Sequence, residues 1–427
     1  MSTSSADTLD QVPSRESPEP APRRSTAGPF ALITALFFLW GFLTSLNNVL
    51  VPHFKDVFGL GYGGSALVTL AFFSAYFLCS IPAGKIISRV GYQRGIVIGL
   101  VTSAVGALLF YPAASIPSYP FFLVGLFLLA AGITMLQVAA NPYVAALGRP
   151  ETASSRLNLT QAFNALGTTL APYVGGLLFL STLAGADRLA AAHAVRGPYV
   201  GIAVVLLALA AVIGMARLPA IPGAASEAAR RRTFLDALRV RHLRLGVIGI
   251  FVYVGAEVAI GSFLVDLLAD PTIAGMRLDA ASRWVSLYWG GSMVGRFLGA
   301  ALMRKRGAGK ILGGAATAAT LLVVLSGLAH GPSAALGLVV VGFFNSIMFP
   351  TIFSLAIEDL GDMTSRGSGL LVMAVVGGAV VPVIVGALAD TIGLQHALAL
   401  VALCYAYIAY YGFRGSRHES PTARIAG

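Results

Sequence analysis

Residues 155–176 read Ser155-Arg-Leu-Asn-Leu-Thr-Gln-Ala-Phe-Asn-Ala-Leu-Gly-Thr-Thr-Leu-Ala-Pro-Tyr-Val-Gly-Gly176, and residues 365–386 read Ser365-Arg-Gly-Ser-Gly-Leu-Leu-Val-Met-Ala-Val-Val-Gly-Gly-Ala-Val-Val-Pro-Val-Ile-Val-Gly386. Ser155-Arg156, Pro172 and Gly176 return as Ser365-Arg366, Pro382 and Gly386, all 210 positions on. A second echo, at an offset of 215, links Gly84 and Arg89 with Gly299 and Arg304. A chain of 427 residues that repeats at about half its length is expected to be two copies of one unit.

Working outward, each repeated stretch lies in one of twelve apolar runs, at about 30–52, 65–88, 95–116, 119–147, 158–182, 197–217, 244–268, 281–303, 308–329, 332–358, 366–390 and 394–413. A crossing of a bilayer takes roughly 20 residues as a helix. Hydrophobic types make up 57% of the chain and charged types 11%, with a mean hydropathy of +0.81; soluble domains carry about 25% charged residues. A soluble reading is excluded, and an all-α integral membrane protein of twelve transmembrane helices in two pseudo-symmetric six-helix bundles is expected. Parallel halves imply a pseudo-two-fold axis along the membrane normal and a central cavity that opens alternately to either side.

Residues 1–28 are rich in Ser, Pro, Glu and Arg and too poor in bulky apolar residues to fold alone. The expected order is a disordered cytoplasmic tail at 1–28, an N-terminal bundle at 29–217, a basic linker at 218–243, a C-terminal bundle at 244–414 and a second cytoplasmic tail at 415–427. With the N-terminus inside, 23 of the 29 Lys and Arg residues fall on cytoplasmic segments, which places both termini in the cytoplasm. The net charge of +11 is interleaved with apolar spans rather than gathered on one domain, so it reads as membrane orientation and not as nucleic-acid binding. The two cysteines, Cys79 and Cys404, lie inside apolar runs, and neither a disulfide nor a metal site is expected. No nucleotide loop, metal triad or nucleophile–base set is visible, so neither an enzyme nor a cofactor is expected.

Hydrocarbon penalises polar side chains, so those within spans face partners or water-filled pathways. Trp40, Thr44 and Asn48 are four apart on one face of the first span, with Asn47 beside it. Gln137 and Asn141 share a face of the fourth, where Pro142 loosens the backbone hydrogen bonds. Asn158, Gln161, Asn164 and Thr168 form a polar stripe along the fifth. Amides offer both donors and acceptors to sugar hydroxyls, and Trp or Tyr faces cover the C–H surface of the ring. Amides also join membrane helices without touching substrate, an alternative that applies to each of them singly. Glu257 is the one carboxylate deep within a span. A charged acid there costs about 2.5 kcal/mol or more on insertion scales and is functional by default, as a proton carrier or a cation partner. Arg296, on a stripe with Tyr288 and Ser292, is the one basic residue within a span.

In these residues the chain resembles the major facilitator superfamily and, within it, the fucose–galactose–glucose:proton symporter family. The carriers are Phe38-Leu-Trp-Gly-Phe with Leu46-Asn-Asn-Val-Leu, Ala71-Phe-Phe-Ser-Ala-Tyr-Phe, Leu136-Gln-Val-Ala-Ala-Asn-Pro-Tyr, Arg156-Leu-Asn-Leu-Thr-Gln-Ala-Phe-Asn, Tyr253-Val-Gly-Ala-Glu and Phe349-Pro-Thr-Ile-Phe-Ser-Leu-Ala-Ile. Gly84-Lys-Ile-Ile-Ser-Arg-Val-Gly-Tyr-Gln-Arg94 is similar to the superfamily's loop motif, with Ser88 where an Asp usually stands. Fucose permeases carry an Asp in the first-span motif and a Glu in the fourth, whereas this chain has Asn48 and Gln137. Gln137 and the residues after it look more like the glucose/galactose branch.

The resemblance implies a hexose transporter of the bacterial inner membrane, a monomer that works by alternating access. Sugar is expected at Asn47, Asn48, Gln137, Asn141, Gln161, Asn164 and Trp40, with Glu257 as the coupling acid for a proton or sodium and Gly84, Arg89, Arg94 and Arg304 at the gating loops. Facilitated transport, a fucose- or N-acetylglucosamine-type substrate and a non-transporting sugar receptor stand as alternatives.

Overall fold

The computed structural model describes residues 26–58, 62–116, 118–175, 196–221, 226–271, 274–329 and 331–417, with side chains described except at 46–58, 62–66, 278, 279, 282 and 332. The first six long helices are α1 (Ala27–Phe58), α2 (Tyr62–Val90), α3 (Tyr92–Ser115), α4 (Tyr119–Ala146), α5 (Ala153–Gly175) and α6 (Arg196–Met215). Two short helices, Glu227–Arg231 and Phe234–Leu238, lead into α7 (Arg241–Ala269), α8 (Leu278–Leu302) and α9 (Ala308–Leu328). Then α10 runs in two segments, Pro332–Asn345 and Met348–Ile357. Two segments, Thr364–Met373 and Gly377–Ile392, make α11 around a tighter turn at Ala374–Val376, and α12 (Leu394–Tyr410) ends in a wider turn at Tyr411–Gly415. Several expected limits shift, and α1 runs on to Phe58 rather than 52. Helix α5 begins at Ala153 rather than 158, α7 begins at Arg241 inside the stretch read as linker, and the tenth run is interrupted.

Among the described residues, ten spans are long and apolar enough to cross a bilayer on their own. The remaining two crossings are α5 and α8, which hold the Asn158–Thr168 stripe and Arg296 and pack on each other where the halves meet. Polar groups on a spanning helix are tolerated where protein covers them.

The repeat is visible in the packing. A Cβ at Gly167 would run into the Phe38 carbonyl, so α5 lies directly on α1; a Cβ at Gly377 would run into the Phe251 carbonyl, so α11 lies directly on α7. Gly167 and Gly377 stand 210 positions apart, the same offset as the Ser-Arg pairs. Small residues let membrane helices approach closely and gain dispersion contact, since lipid offers no hydrophobic contrast.

One end of the bundle carries the α2–α3, α4–α5, α8–α9 and α10–α11 turns and the linker, and is called the basic end below. Several hydrogen bonds join the halves near this end. The Ser155 hydroxyl donates to the Ala300 carbonyl at 2.6 Å, Ser154 and Ser354 share a hydrogen at 2.7 Å, and Asn158 Nδ2 donates to Thr351 Oγ1 at 3.0 Å. Phe163 and Phe297 meet edge to face, 5.7 Å between centroids.

The linker is folded against this end. Ser226 caps its first helix, and Thr233 and Asp236 form a capping box on the second. The Thr233 backbone N–H holds the Asp236 carboxyl below the usual carboxylate range. Arg366, 4% exposed, donates Nη2 to the Ala229 and Arg230 carbonyls at 3.3 Å each and lies 5.2 Å over the Phe234 ring.

Candidate functional site

In α4, Gln137 and Asn141 point the same way, as their spacing of four requires. Gln137 Nε2 donates to Tyr76 Oη of α2 at 2.9 Å, and Gln161 Nε2 of α5 donates to Asn141 Oδ1 at 3.3 Å. Asn141 is fully buried. Both amides keep capacity in reserve: Gln137 Oε1 and Asn141 Nδ2 are buried and bonded to nothing among the described residues. An unsatisfied buried polar atom costs about 1–3 kcal/mol, so such atoms mark places where water or a ligand completes the set.

Asn164 is used differently. Its Nδ2 donates to the Phe37 carbonyl of α1 at 2.9 Å, and its own carbonyl lies where a Cβ at Gly41 would stand. It straps α5 to α1. Trp40 stands apart from the amides. Its ring packs on Phe37, 5.3 Å between centroids, and the residue borders a void of about 20 Å³ with Leu43, Ser103, Ile133, Leu136 and Ile202. Leu136 borders that void while Gln137, about 100° round the helix, reaches away from it to Tyr76. Around that void Trp40 meets Thr44 of its own helix, Ser103 of α3 and apolar side chains of α4 and α6, all within its own half. The side chains of Asn47 and Asn48 lie outside the described residues.

The C-terminal half supplies a second polar group. Glu257 of α7 lies within electrostatic reach of Arg296 without a direct ion pair, and the Tyr253 hydroxyl approaches it from one turn earlier. Tyr288 of α8 is fully buried and its hydroxyl accepts from Asn345 Nδ2 at 2.7 Å. Asn345 Oδ1 and Ser292 Oγ are buried with no partner among the described residues. Arg296 Nε donates to the Ser346 carbonyl at 3.1 Å and its Nη1 to the Gln161 carbonyl at 3.4 Å. The cause of the first bond is local. Pro350 has no N–H and its ring excludes a bond to the carbonyl four residues back, which is that of Ser346. The freed acceptor needs a donor inside the membrane, and Arg296 provides it.

The two polar groups are thus joined. Asn141 accepts from Gln161, and the Gln161 carbonyl accepts from Arg296, which lies within electrostatic reach of Glu257. Tyr288 stands in the sequence only as a stripe neighbour of Arg296 and Tyr76 only within a motif, neither with a site role, and Asn345 is not singled out there. Asn345 carried one signal, a lone amide just ahead of a proline-broken segment in an otherwise apolar run.

Of the loop residues, Gly84 sits on the seam, where a Cβ would stand 2.8 Å from the Ser365 carbonyl. Arg89, Arg94 and Arg304 are exposed at the basic end, and the Arg89 carbonyl accepts from Arg230 of the linker at 3.5 Å.

Residues 32–382 match the family described as Major Facilitator Superfamily. The chain is 52% identical over 390 residues to a glucose/galactose transporter of Brucella abortus, covering 91% of this chain and 94% of that one. It is 36% identical over 420 residues to an L-fucose-proton symporter of Escherichia coli, covering 94% and 95% respectively. Among solved structures, FucP in the outward conformation superposes with a TM-score of 0.88 at 35% identity, covering 93% of this chain and all of that one. By sequence match and by fold, the chain belongs to the Major Facilitator Superfamily.

Proposed function

We propose that the chain carries a hexose of the glucose/galactose type across the bacterial inner membrane by alternating access, coupled to the movement of a proton or sodium ion. The observation that carries this reading is the set of buried polar atoms with unused bonding capacity, Gln137 Oε1, Asn141 Nδ2, Ser292 Oγ and Asn345 Oδ1, within helices that are otherwise apolar. A sugar brings hydroxyls that both donate and accept, which is the chemistry these atoms lack. The 52% identity to a glucose/galactose transporter favours glucose or galactose over fucose, as does Gln137 at the position where fucose permeases have an acid.

Coupling needs a group whose interaction with a cation differs between the two states, and Glu257 is the acid placed to do so. The excess of Lys and Arg at the basic end supports a cytoplasmic position for that end and for both termini. The protein works as a monomer, each chain having its own pair of bundles. The test is counterflow in proteoliposomes with a panel of labelled hexoses, with and without proton and sodium gradients. Accumulation of glucose or galactose that follows one of the gradients is expected. Uptake indifferent to both gradients makes the protein a facilitator, and binding without movement makes it a receptor.

A further inference from the structure

We propose that Arg296 is the positioning residue through which cation occupancy at Glu257 controls how firmly the sugar-facing helix α5 is held at the basic end. The proposal rests on the cation-coupled reading above and names a residue and a bond through which that coupling acts.

Arg296 is rooted on one half and reaches into the other. Its Nε is committed to the Ser346 carbonyl at 3.1 Å, an acceptor that Pro350 leaves without a helical donor. Its Nη1 crosses to the Gln161 carbonyl of α5 at 3.4 Å, near the long limit of a hydrogen bond. The side chain of Gln161 in turn holds Asn141, so the crossing bond ends on a residue of the amide set. A planar guanidinium can serve both carbonyls and still have donors left, which the point charge of a lysine cannot.

Glu257 lies within electrostatic reach of Arg296, on the helix that packs beside α8. The titratable groups interacting with it or its neighbours are Tyr253 on its own helix, Arg296 and Tyr288 on α8, and Tyr405 on α12; Arg296 is the one cation among them. A bare carboxylate draws the guanidinium towards α7, and the longer bond to Gln161 is the one that yields. A proton or sodium ion on Glu257 removes that pull, and Arg296 keeps α5 tied to the α8–α10 side. Cation loading therefore holds the basic end shut while the opposite end is open to sugar, and cation loss loosens the tie.

The test reads the basic end directly. Spin labels on Lys85→Cys and Arg306→Cys, both exposed positions and one in each half, are placed in a Cys79→Ser, Cys404→Ser background in vesicles without sugar. In the otherwise unaltered protein, the short-distance population is expected to grow as proton or sodium concentration rises. Glu257→Gln is expected to stay short at all concentrations. Arg296→Gln is expected to move the populations about tenfold towards the long distance, the scale of one hydrogen bond from a charged donor, and to lose the cation response. Ser155→Ala removes a neighbouring bond between halves and is expected to shift the populations while keeping the response. Should Arg296→Gln not fold, Arg296→Lys carries the test with a smaller shift of the same sign.

An Arg296 variant that matches the parent and still follows the cation overturns the proposal, as does a parent whose distances ignore both cations. Loss of the response in Ser155→Ala overturns it too, since Arg296 would then be one structural bond among several. Sugar counterflow measured on the same vesicles tests the transport reading separately: failure there leaves the distance data intact.

Discussion

The Ser155 hydroxyl of α5 donates to the Ala300 carbonyl of α8 at 2.6 Å, and the counterpart helices α11 and α2 also meet closely on the other side of the molecule, although the Ser365 hydroxyl there has no partner among the described residues. Ser365 of α11 is the counterpart of Ser155, and its carbonyl comes within 2.8 Å of a Cβ built on Gly84 of α2, the counterpart of Gly299 beside Ala300. Two seams of common descent therefore close the basic end. Leucine at Gly84 would drive carbon into a backbone carbonyl, which cannot turn aside as a side chain can. Gly84→Leu is expected to pry the α2–α11 seam apart and favour the form open at the basic end. Thiol labelling of a buried Ser154→Cys, in a Cys79→Ser, Cys404→Ser background, is expected to rise about fivefold, the effect of roughly 1 kcal/mol on a two-state balance. Unchanged labelling would show that this seam does not limit opening.

Within each half, the glycines that let α5 lie on α1 and α11 lie on α7 should respond differently. Gly167→Val and Gly377→Val place methyl groups against the Phe38 and Phe251 carbonyls, and overpacking of this kind costs about 1–3 kcal/mol or more. Both variants are expected to lower the melting temperature of the detergent-solubilised protein. Gly314→Ala, where nothing lies within 4 Å of the new carbon, is the matched control and is expected to leave it unchanged or slightly raised. Equal melting temperatures for all three would remove the close-approach account of the helix pairs.

Variants of Gln137 and Tyr76 are expected to separate recognition from positioning. Gln137→Ala deletes an amide whose oxygen is free for a sugar hydroxyl, and it is expected to raise the half-saturation concentration for transport by about tenfold or more. Tyr76→Phe leaves the amide but removes its 2.9 Å anchor, so a rise of only a few-fold is expected. Steady-state counterflow on the two variants decides the matter. The reverse order would mean that Tyr76 holds the substrate and Gln137 merely orients it.

The architecture was legible in the sequence because its signals are long and redundant. Twelve apolar runs, an offset of 210 shared by the Ser-Arg pairs and the positive-inside bias all report the same fold. The packing partner of a single side chain is another matter. Trp40 and Asn164 have the composition of a sugar site and the spacing to match, yet Trp40 packs within its own half and Asn164 bonds a backbone carbonyl of α1. Residue type fixes what a group can bond to, and only the helix rotation decides which neighbour it meets. Arg296 shows the converse. Its bond to the Ser346 carbonyl follows from Pro350 four residues on, but nothing in the sequence says that α8 passes beside that break. Arg156 and Arg366 share a repeat position and have diverged: Arg156 donates to the Val144, Ala145 and Arg149 carbonyls at the end of α4, and Arg366 to the linker.

Glu257→Gln should divide coupling from exchange. Glutamine keeps the size of the side chain and removes its charge, so the cavity is preserved while the cation loses its partner. Counterflow of sugar, which needs no net cation movement, is expected to persist at about the parental rate. Accumulation against a gradient is expected to fall to equilibration. Accumulation that still follows the proton or sodium gradient would move the coupling group elsewhere.

The linker offers a test that needs no transport at all. Arg230-Arg231-Arg232 is a run that trypsin would cut, yet the Ala229 and Arg230 carbonyls are held by Arg366, whose guanidinium also covers Phe234, and Ser226 donates to Asp362 at 2.9 Å. Cleavage requires the segment to leave this seat, so its rate reports the free energy of local release. Arg366→Ala removes two charge-assisted bonds and the cation–π contact together, and cleavage at the run is expected to speed up about tenfold or more. Arg366→Lys keeps the charge over Phe234 but cannot span both carbonyls, so an intermediate rate is expected. Because Arg366 sits on α11 beside the Gly84 seam, Gly84→Leu should also loosen the linker and raise the cleavage rate. A Gly84→Leu protein cut no faster than the parent would show that the linker stays seated when the α2–α11 seam opens, and that Arg366 fixes it to one half alone.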